Sequence, residues 1–354
     1  MADQESTGQE SKGAESQGIW AEWWDAVEIR TVLLIVGVLL LQLGFILSYV
    51  GAFHAPRPQH IPLAVVAPAP AATQIVGRLN GINGSPVNAA AVADETTARR
   101  QLADGNTSGV LIVRPSQAPG TTDTLLVASG GGSAVSTAVQ SIVTQAEAAQ
   151  RRNLSVQDVV PEQAGDARGL SGFYLVVGWI VGGYLVAALL GVARGSRPTT
   201  VRRAGFRLVA IVPYAIVSGL GGAVIVGPVL GAITGHLLAL WWVGALLVLA
   251  AATVTMAFQV LFGVIGIGIT VLVFVILGNP SAGGAYQPSL LPPFWRAISG
   301  ALPNGAGTDT VRRIVYFGGN GIAAHLIVLA IYVVAGAALA LVAAAAFQRR
   351  ADLT

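Results

Sequence analysis

The sequence predicts a polytopic α-helical membrane protein: six transmembrane helices, with an extracytoplasmic α/β domain inserted between helices one and two. Three observations predict this fold class. The 354 residues are 54% hydrophobic and only 10% charged, whereas a soluble domain carries roughly 25% charged residues. Several apolar runs reach the ~20 residues that a helix needs to cross a bilayer. Residues 54–171 instead alternate short apolar and polar segments, as in a folded α/β domain.

The composition also excludes several classes of chemistry. The chain has no cysteine, which excludes disulfides, thiolate metal sites and cysteine nucleophiles. Lys12, its only lysine, lies in the polar N-terminal segment, so the folded part has no phosphate-binding loop of the Walker type. No nucleophile, base and orienting group occur together in a catalytic pattern. We therefore predict that the chain is not an enzyme, binds no cofactor or metal and has no nucleic-acid partner.

The N-terminal region contains two predicted segments. Residues 1–19 are polar and are expected to be disordered. Residues 20–30 place Trp20, Trp23 and Trp24 at i, i+3 and i+4, which predicts an amphipathic helix on the inner membrane surface. This helix is either a simple anchor or a docking element for a cytoplasmic partner.

Six spans are assigned to the apolar segments. They are 31–53 (helix 1), 172–193 (helix 2), three helices within 208–278, and 318–347 (helix 6). The apolar stretch 237–277 is about twice as long as one span, so a turn is expected near Met256–Gln259. The alternative is one tilted buried helix followed by a re-entrant segment, which would change the number of crossings.

Arginines set the predicted orientation. A basic loop at 194–207 and a basic tail at 348–354 both belong in the cytoplasm by the positive-inside rule. Their arginines are Arg194, Arg197, Arg202, Arg203 and Arg207 in the loop, with Arg349 and Arg350 in the tail. With six spans, both termini face the cytoplasm of a plasma-membrane protein, while 54–171 and 279–317 lie outside.

The outer domain shows the element order β-α-β-α-β-β-α-β. The predicted strands are Ile61–Val66, Val87–Ala93, Gly109–Arg114, Thr122–Ala128 and Val156–Val160, and the predicted helices are Ala72–Asn80, Glu95–Ala103 and Ser133–Arg152. Asp94 is expected to cap the N-terminus of the second of these helices.

Residues 279–317 are too polar and proline-rich to span the membrane. Pro292–Ile298 predicts a short helix that begins at prolines, and Leu302-Pro303 is expected to end it. An amphipathic or re-entrant hairpin at the outer membrane face would satisfy such a backbone against protein.

At these residues the sequence resembles the YhgE/Pip (phage infection protein) family, which falls within the type-2 ABC exporter permeases. The resemblance lies in Gly284-x-x-x-Pro288, Leu291-Pro292-x-Phe294, Leu302-Pro303 and Val311-Arg312, and in the approach to helix 2 from Val159 to Leu185. The outer domain is far shorter than in the long phage-receptor relatives.

The resemblance implies a permease that acts as a homodimer or heterodimer with a separate cytoplasmic ATPase subunit. The N-terminal helix and the basic loop would face that ATPase. Hairpin 279–317 would form an outer gate. The gate residues are Pro288, Leu291, Pro292, Phe294, Trp295, Arg296, Leu302, Pro303 and Arg312.

No charged residue lies between Arg207 and Arg296. A transporter driven by its own ion gradient usually keeps charged side chains on the ion path, so the energy is expected from another subunit. The favoured hypothesis is the permease subunit of an ABC-type exporter for hydrophobic or amphipathic molecules, in contact with membrane lipid. The alternative is a membrane scaffold or receptor whose outer domain binds an envelope, secretion or phage partner.

Overall fold

The structure, a computed structural model, describes residues 29–115, 121–195 and 200–351. The predicted disordered segment and almost all of the predicted interfacial helix lie outside these ranges, together with Trp20, Trp23, Trp24 and Arg197.

The chain divides into two units, Met1–Leu47 and Ser48–Thr354. Helix α1 (Ile29–Phe53) begins in the first unit and ends in the second. Large apolar side chains such as Leu33 and Leu40 are about two-thirds exposed (65% and 64%). A helix that is apolar on all sides and unburied is typical of a lipid-facing span.

Residues 61–158 form a sheet domain, in the predicted order of elements. The elements are β1 (Ile61–Val66), α2 (Ala69–Asn80), β2 (Val87–Ala91), α3 (Glu95–Ala103), β3 (Gly109–Ile112), β4 (Thr122–Val127), α4 (Ser133–Ala148) and β5 (Asn153–Asp158). The strands lie in the order β2-β1-β3-β4-β5. All neighbours are parallel except the β3–β4 pair. Helices cross over between the parallel strands, as this connectivity requires.

Local chemistry explains the element boundaries in this domain. Asp94 caps α3 as predicted, since its Oδ1 accepts a hydrogen bond from the Thr97 N–H at 2.8 Å. Helix α4 ends at Ala148 rather than at the predicted Arg152, because Arg151 has a positive φ of 56° that ends the helical turn. Strand β5 consequently starts three residues earlier than predicted, at Asn153.

The remaining helices follow the sheet domain. They are α5 (Ser171–Arg194), α6 (Val201–Val224, extended by a π-helical turn over Ile225–Val229), α7 (Leu237–Phe262), α8 (Ile265–Ser281, with a π-helical part over Leu272–Gly278), α9 (Pro293–Ser299), α10 (Pro303–Tyr316) and α11 (Ala323–Ala351). Among the described residues, α1, α5, α6, α7 and α11 are long and apolar enough to cross a membrane. Helix α8 is also apolar but shorter than the ~20 residues of a full span. The arrangement with six spans therefore stays a prediction.

The turn in the apolar stretch 237–277 was predicted near Met256–Gln259, and this position was wrong. Helix α7 continues through these residues to Phe262. The chain turns at Gly263, where φ is +63°. Glycine adopts this backbone conformation without steric cost, and the residues from Met256 to Gln259 offer no comparable break.

The predicted basic loop 194–207 is also shorter than expected. Helix α6 begins at Val201, so Arg202, Arg203 and Arg207 lie on its first turns and not in a loop. The Thr200 hydroxyl caps the helix by accepting a hydrogen bond from the Arg203 N–H at 3.2 Å. Arginine has a high helix propensity, and a basic run after a threonine continues readily as helix.

Helix α7 is the centre of the helical part and packs against α5, α6 and α11. Gly183 of α5 and Gly219 of α6 contact the α7 backbone so closely that a Cβ atom at either position would collide with it. Small residues thus allow close helix packing within this chain.

Candidate functional site

The predicted gate segment forms a hairpin, defined here as residues 282–322, in which α9 and α10 follow a proline-rich turn. Sequence reasoning found α9 but missed α10, because Leu302-Pro303 was interpreted as a stop. The structure instead places Leu302 at the N-cap and Pro303 in the first turn of α10. Proline suits that position because its missing N–H would have no partner there.

Helix α10 is polar in composition and nevertheless largely buried. The hydroxyls of Thr308 and Thr310 donate to the carbonyl oxygens of Asn304 and Ala306, four residues earlier, at 2.8 and 2.7 Å. The Asn304 amide Nδ2 donates to the Phe274 carbonyl oxygen at 2.9 Å. These hydrogen bonds let the polar side chains remain buried against α5, α7 and α11.

A cluster of ionisable residues lies on α10 and at the start of α11. Asp309 forms ion pairs with Arg313 at 2.6 Å and with Arg312 at 3.6 Å, and its Oδ2 lies 3.4 Å from His325 Nε2. Arg312, which is only 9% exposed, also donates to the Gly283 carbonyl oxygen at 2.5 Å. Removing Asp309 would leave a buried guanidinium with a missing counter-charge.

Arg296 ties α9 to its surroundings. Its guanidinium donates to the carbonyl oxygens of Pro288 and Leu291 at 3.1 and 3.0 Å, and to Gln59 Oε1 at 2.5 Å. Gln59 lies in the connector that leads from α1 to the sheet domain, and its own N–H donates to the Ser289 carbonyl oxygen at 2.9 Å. Arg296 thus fixes the hairpin to the entrance of that domain.

The other predicted gate residues divide between the interior and the surface. Leu291 and Trp295 are buried with Ala52 in one apolar cluster. Pro292 is the N-cap of α9, while Phe294 is 57% exposed. The structure therefore brings most of the predicted gate residues into one hairpin but leaves Phe294 at its surface.

The hairpin contributes to both hydrophobic cores of the sheet domain. Leu290 is buried in the core that contains residues of α2 and α4. Phe317 is buried in the opposite core, with Leu102 of α3 and Leu126 of β4. Its ring lies directly against Gly131, where a Cβ atom would collide with it. The hairpin and the sheet domain are therefore packed through shared cores on both faces of the sheet.

Polar contacts reinforce this junction. The Tyr316 hydroxyl donates to Asp166 Oδ2 at 2.6 Å and accepts a hydrogen bond from the Gln163 N–H at 3.3 Å. Burial raises the pKa of Tyr316, and the hydrogen bond to Asp166 adds to the rise, so the hydroxyl stays protonated as a donor.

A cavity of about 160 Å³ lies where the hairpin meets the sheet domain. Its walls include Arg312 and Asp309 from α10, Ser136 from α4, and Gln287. Gln287 is 8% exposed, and its Oε1 has no hydrogen-bond partner. The junction is thus densely packed but retains a small polar space.

The basic ends of two helices meet at the opposite end of the helical part. The Val201 N–H, at the start of α6, donates to Gln348 Oε1 near the end of α11 at 3.0 Å. Arg202 lies 5.3 Å from the Phe206 ring, and Arg207 donates to the Gly195 carbonyl oxygen at 2.9 Å. The predicted coupling arginines of α6 therefore lie beside the basic end of α11.

Sequence reasoning missed Asp309, Tyr316, His325 and Asp166. One signal was present: Asp309 precedes Arg312 and Arg313 by three and four residues, the spacing of ion pairs on a helix. No local pattern indicates the contact between Tyr316 and Asp166, because 150 residues separate them.

Comparison with known proteins places these observations in a family. A family described as ABC-2 family transporter protein matches residues 29–342, which run from α1 through the sheet domain and the hairpin into α11. No curated protein and no solved structure shows a significant match. Because the matched region includes most of the chain, this protein belongs to the ABC-2 transporter family.

Proposed function

We propose that this chain is the transmembrane permease subunit of an ABC-type exporter, which moves hydrophobic or amphipathic molecules across the plasma membrane with a separate ATPase. Family membership supports a permease. The observation that carries the proposal is the buried hairpin, which links the helices to a folded domain through two shared cores.

The hairpin is suited to act as an outer gate. Helix α10 packs against α5, α7 and α11, while Leu290 and Phe317 insert into the sheet domain. A displacement of α10 would therefore move the sheet domain or expose apolar side chains to water. Exposure of a buried phenylalanine to water is costly, so α10 and the sheet domain are expected to move together.

The basic ends support the proposed orientation. Arg202 and Arg203 lie beside the end of α11, which carries Arg349 and Arg350. Two arginine-bearing helix ends at one end of the helical part agree with a single cytoplasmic side. The sheet domain and the hairpin then lie outside, and the arginine surface is available to an ATPase.

The lining of the helices supports a hydrophobic or amphipathic cargo over a small ion. Between Arg207 and Arg296 the polar side chains of α7 bond internally: the Gln259 amide donates to the Ala188 carbonyl oxygen at 3.3 Å, and the Thr255 hydroxyl donates to the Ala251 carbonyl oxygen at 2.6 Å. An apolar interior of this kind is compatible with lipid-like molecules and costly for ions.

Three measurements test the proposal. The purified chain alone should hydrolyse no ATP, and a subunit with a Walker phosphate loop should copurify from the native host. Proteoliposomes that contain both should export a lipophilic dye such as Hoechst 33342 only when ATP is added. ATP-independent movement of the dye, driven by a pH gradient in vesicles of this chain alone, would overturn the proposal.

Two pairs of variants separate the roles. Phe317→Ala should reduce export while the ATPase still binds, and Phe262→Ala, at an exposed position on α7, should leave export unchanged. Replacement of Arg202 and Arg203 by Gln should weaken ATPase binding, whereas Arg99→Gln in the sheet domain should not. If the chain shows no export at all but its outer domain captures an envelope partner, a scaffold or receptor role replaces the exporter.

A further inference from the structure

A second cavity, of about 340 Å³, lies in the sheet domain between α2 and α4. Its wall is mainly apolar and includes Ile75 and Leu79 from α2 and Ile142 from α4. The size and the apolar lining fall within the range of small-molecule sites in proteins. The cavity lies on the α2–α4 face of the sheet, while α3 and Phe317 cover the opposite face.

One buried acid lies on the wall of this cavity. Glu147 is 3% exposed, and its Oε2 atom has no hydrogen-bond partner. The nearest cation is Arg152, whose Nε lies 3.5 Å from Oε2. That guanidinium makes shorter hydrogen bonds to Asp123, from Nε at 2.5 Å and from Nη2 at 2.6 Å. When Glu147 is protonated, its carboxyl shares a hydrogen bond with Asp123. When Glu147 is ionised, its buried Oε2 has no donor, which is costly, and a ligand could supply one.

The surrounding charges favour a cationic donor. When Glu147 is ionised, the net charge of the three side chains Glu147, Asp123 and Arg152 is −1. Arg114 contributes its backbone N–H to Asp123 at 2.9 Å. Arg78, the charged residue of α2 on the cavity wall, is exposed, so solvent screens its charge.

We propose that this cavity binds an amphipathic molecule with a protonated amine, whose ammonium group pairs with Glu147 and whose apolar part lies on Ile75, Leu79 and Ile142. The proposal rests on the proposed function, since it names a class of amphipathic molecule that an exporter of this kind would detect or carry. In the occupied site the ammonium group of the ligand donates to Glu147 Oε2, and the apolar part of the ligand covers the apolar wall.

Binding is linked to a proton. Burial raises the pKa of Glu147 to about 7, and the neighbouring Asp123 adds to the rise. Below this pH the empty site holds a proton on Glu147, and the entering ammonium group displaces it to solvent. Affinity should therefore increase about tenfold per pH unit up to pH 7 and then level off, because an alkyl amine stays protonated to about pH 10.

The test uses the full chain in phosphatidylcholine nanodiscs, with dansylcadaverine as a fluorescent primary amine and its N-acetyl derivative as the neutral control. Empty nanodiscs give the background from partition into lipid. We expect saturable binding of the amine and at least tenfold weaker binding of the neutral derivative. Equal affinities of the two probes would overturn the proposal.

Two variants and a pH series sharpen this test. Glu147→Gln keeps the shape of the side chain and should weaken amine binding at least tenfold at pH 8, whereas Glu95→Gln, on the exposed surface of α3, should have no effect. If Glu147→Gln fails to fold, the pH dependence of the wild-type protein still decides: affinity that is constant from pH 5 to pH 7 overturns the proposal. Because none of these measurements needs ATP or export, failure of this site leaves the permease proposal standing.

Discussion

The buried acid of the sheet domain should make the stability of that domain depend on pH. The pKa of Glu147 rises from 4.5 to about 7 on folding, first because of burial and then because of the Asp123 carboxylate. A raised folded-state pKa means that the folded state binds the proton more tightly than the unfolded state. The resulting stabilisation is complete below pH 4.5 and is lost as the pH rises through 7.

The full shift corresponds to about 3 kcal/mol, at 1.36 kcal/mol per pKa unit. Between pH 5 and pH 8 the expected loss is about 2–3 kcal/mol. Asp123 does not contribute to the pH dependence of stability between pH 5 and pH 8. Burial alone would raise the pKa of Asp123, but hydrogen bonds from Arg152 and from the Arg114 backbone lower it, so this carboxyl is ionised throughout.

Hydrogen exchange followed by mass spectrometry can measure this loss in the full chain. After correction for the intrinsic pH dependence of exchange, protection of β4 and β5 should fall close to a hundredfold from pH 5 to pH 8, since 1.4 kcal/mol is tenfold. Glu147→Gln should remove the dependence and be the more protected protein at pH 8. Glu95→Gln is the matched control, because Glu95 forms only an exposed ion pair with Arg99. Equal slopes in Glu147→Gln and the wild type would refute the reasoning.

Three further predictions concern thermal unfolding of the purified protein. Gly263→Ala should destabilise it by about 1–2 kcal/mol, because φ is positive at this position. Gly205→Ala is the control and should not destabilise the protein, because the space around this glycine is open. Equal melting temperatures of the two variants would contradict this. Asp309→Asn should cost about 3–5 kcal/mol by leaving Arg312 without its counter-charge, and an unchanged melting temperature would show that the pair is dispensable. Leu290→Ala should cost about 2–5 kcal/mol and reduce protection of the sheet domain, and a loss confined to the hairpin would count against the shared core.

The sheet domain could be predicted from sequence because its signals are local. Alternating apolar residues indicate the strands, and Asp94 marks the start of a helix through its hydrogen bond to the Thr97 N–H. The predicted strand Ile61–Val66 and helix Glu95–Ala103 have the observed bounds. Errors occurred where a single backbone angle decides the boundary, as at Arg151.

The helical part was predicted less well because its boundaries depend on features that hydropathy does not report. A uniform apolar run gives no preference between a turn at Met256 and one at Gly263, and the positive φ of Gly263 decides. Arginines indicate a cytoplasmic side, yet they do not indicate a loop. Arg202 and Arg203 lie on a helix because Thr200 caps it.

The candidate site was predicted only in part because the pairing partners are distant in sequence. The hairpin was expected from its prolines, but Gln59 and Arg296 are 237 positions apart, and Tyr316 and Asp166 are 150 apart. The sequence therefore predicts a re-entrant or amphipathic hairpin but not helix α10 or the partners of its polar side chains. These partners become visible only when the fold brings α5, α7 and the sheet domain together.

The burial of α10 limits how a gate at this position can open. Polar groups of α10 bond to protein: Asn304 Nδ2 donates to the Phe274 carbonyl oxygen, and Arg312 pairs with Gly283 and Asp309, while Asn304 Oδ1 has no hydrogen-bond partner. Movement of α10 into lipid would leave these groups unpaired at a cost of several kcal/mol each. Movement along the protein interior keeps them paired but must displace Phe317 from the core of the sheet domain or carry that domain along. Opening is therefore expected as a joint movement of hairpin and sheet domain. A crosslink between positions 104 and 320, where Asn320 Nδ2 donates to Asp104 Oδ1 at 2.9 Å on the surface, should leave export active. A crosslink that joins α10 to α7 should block it.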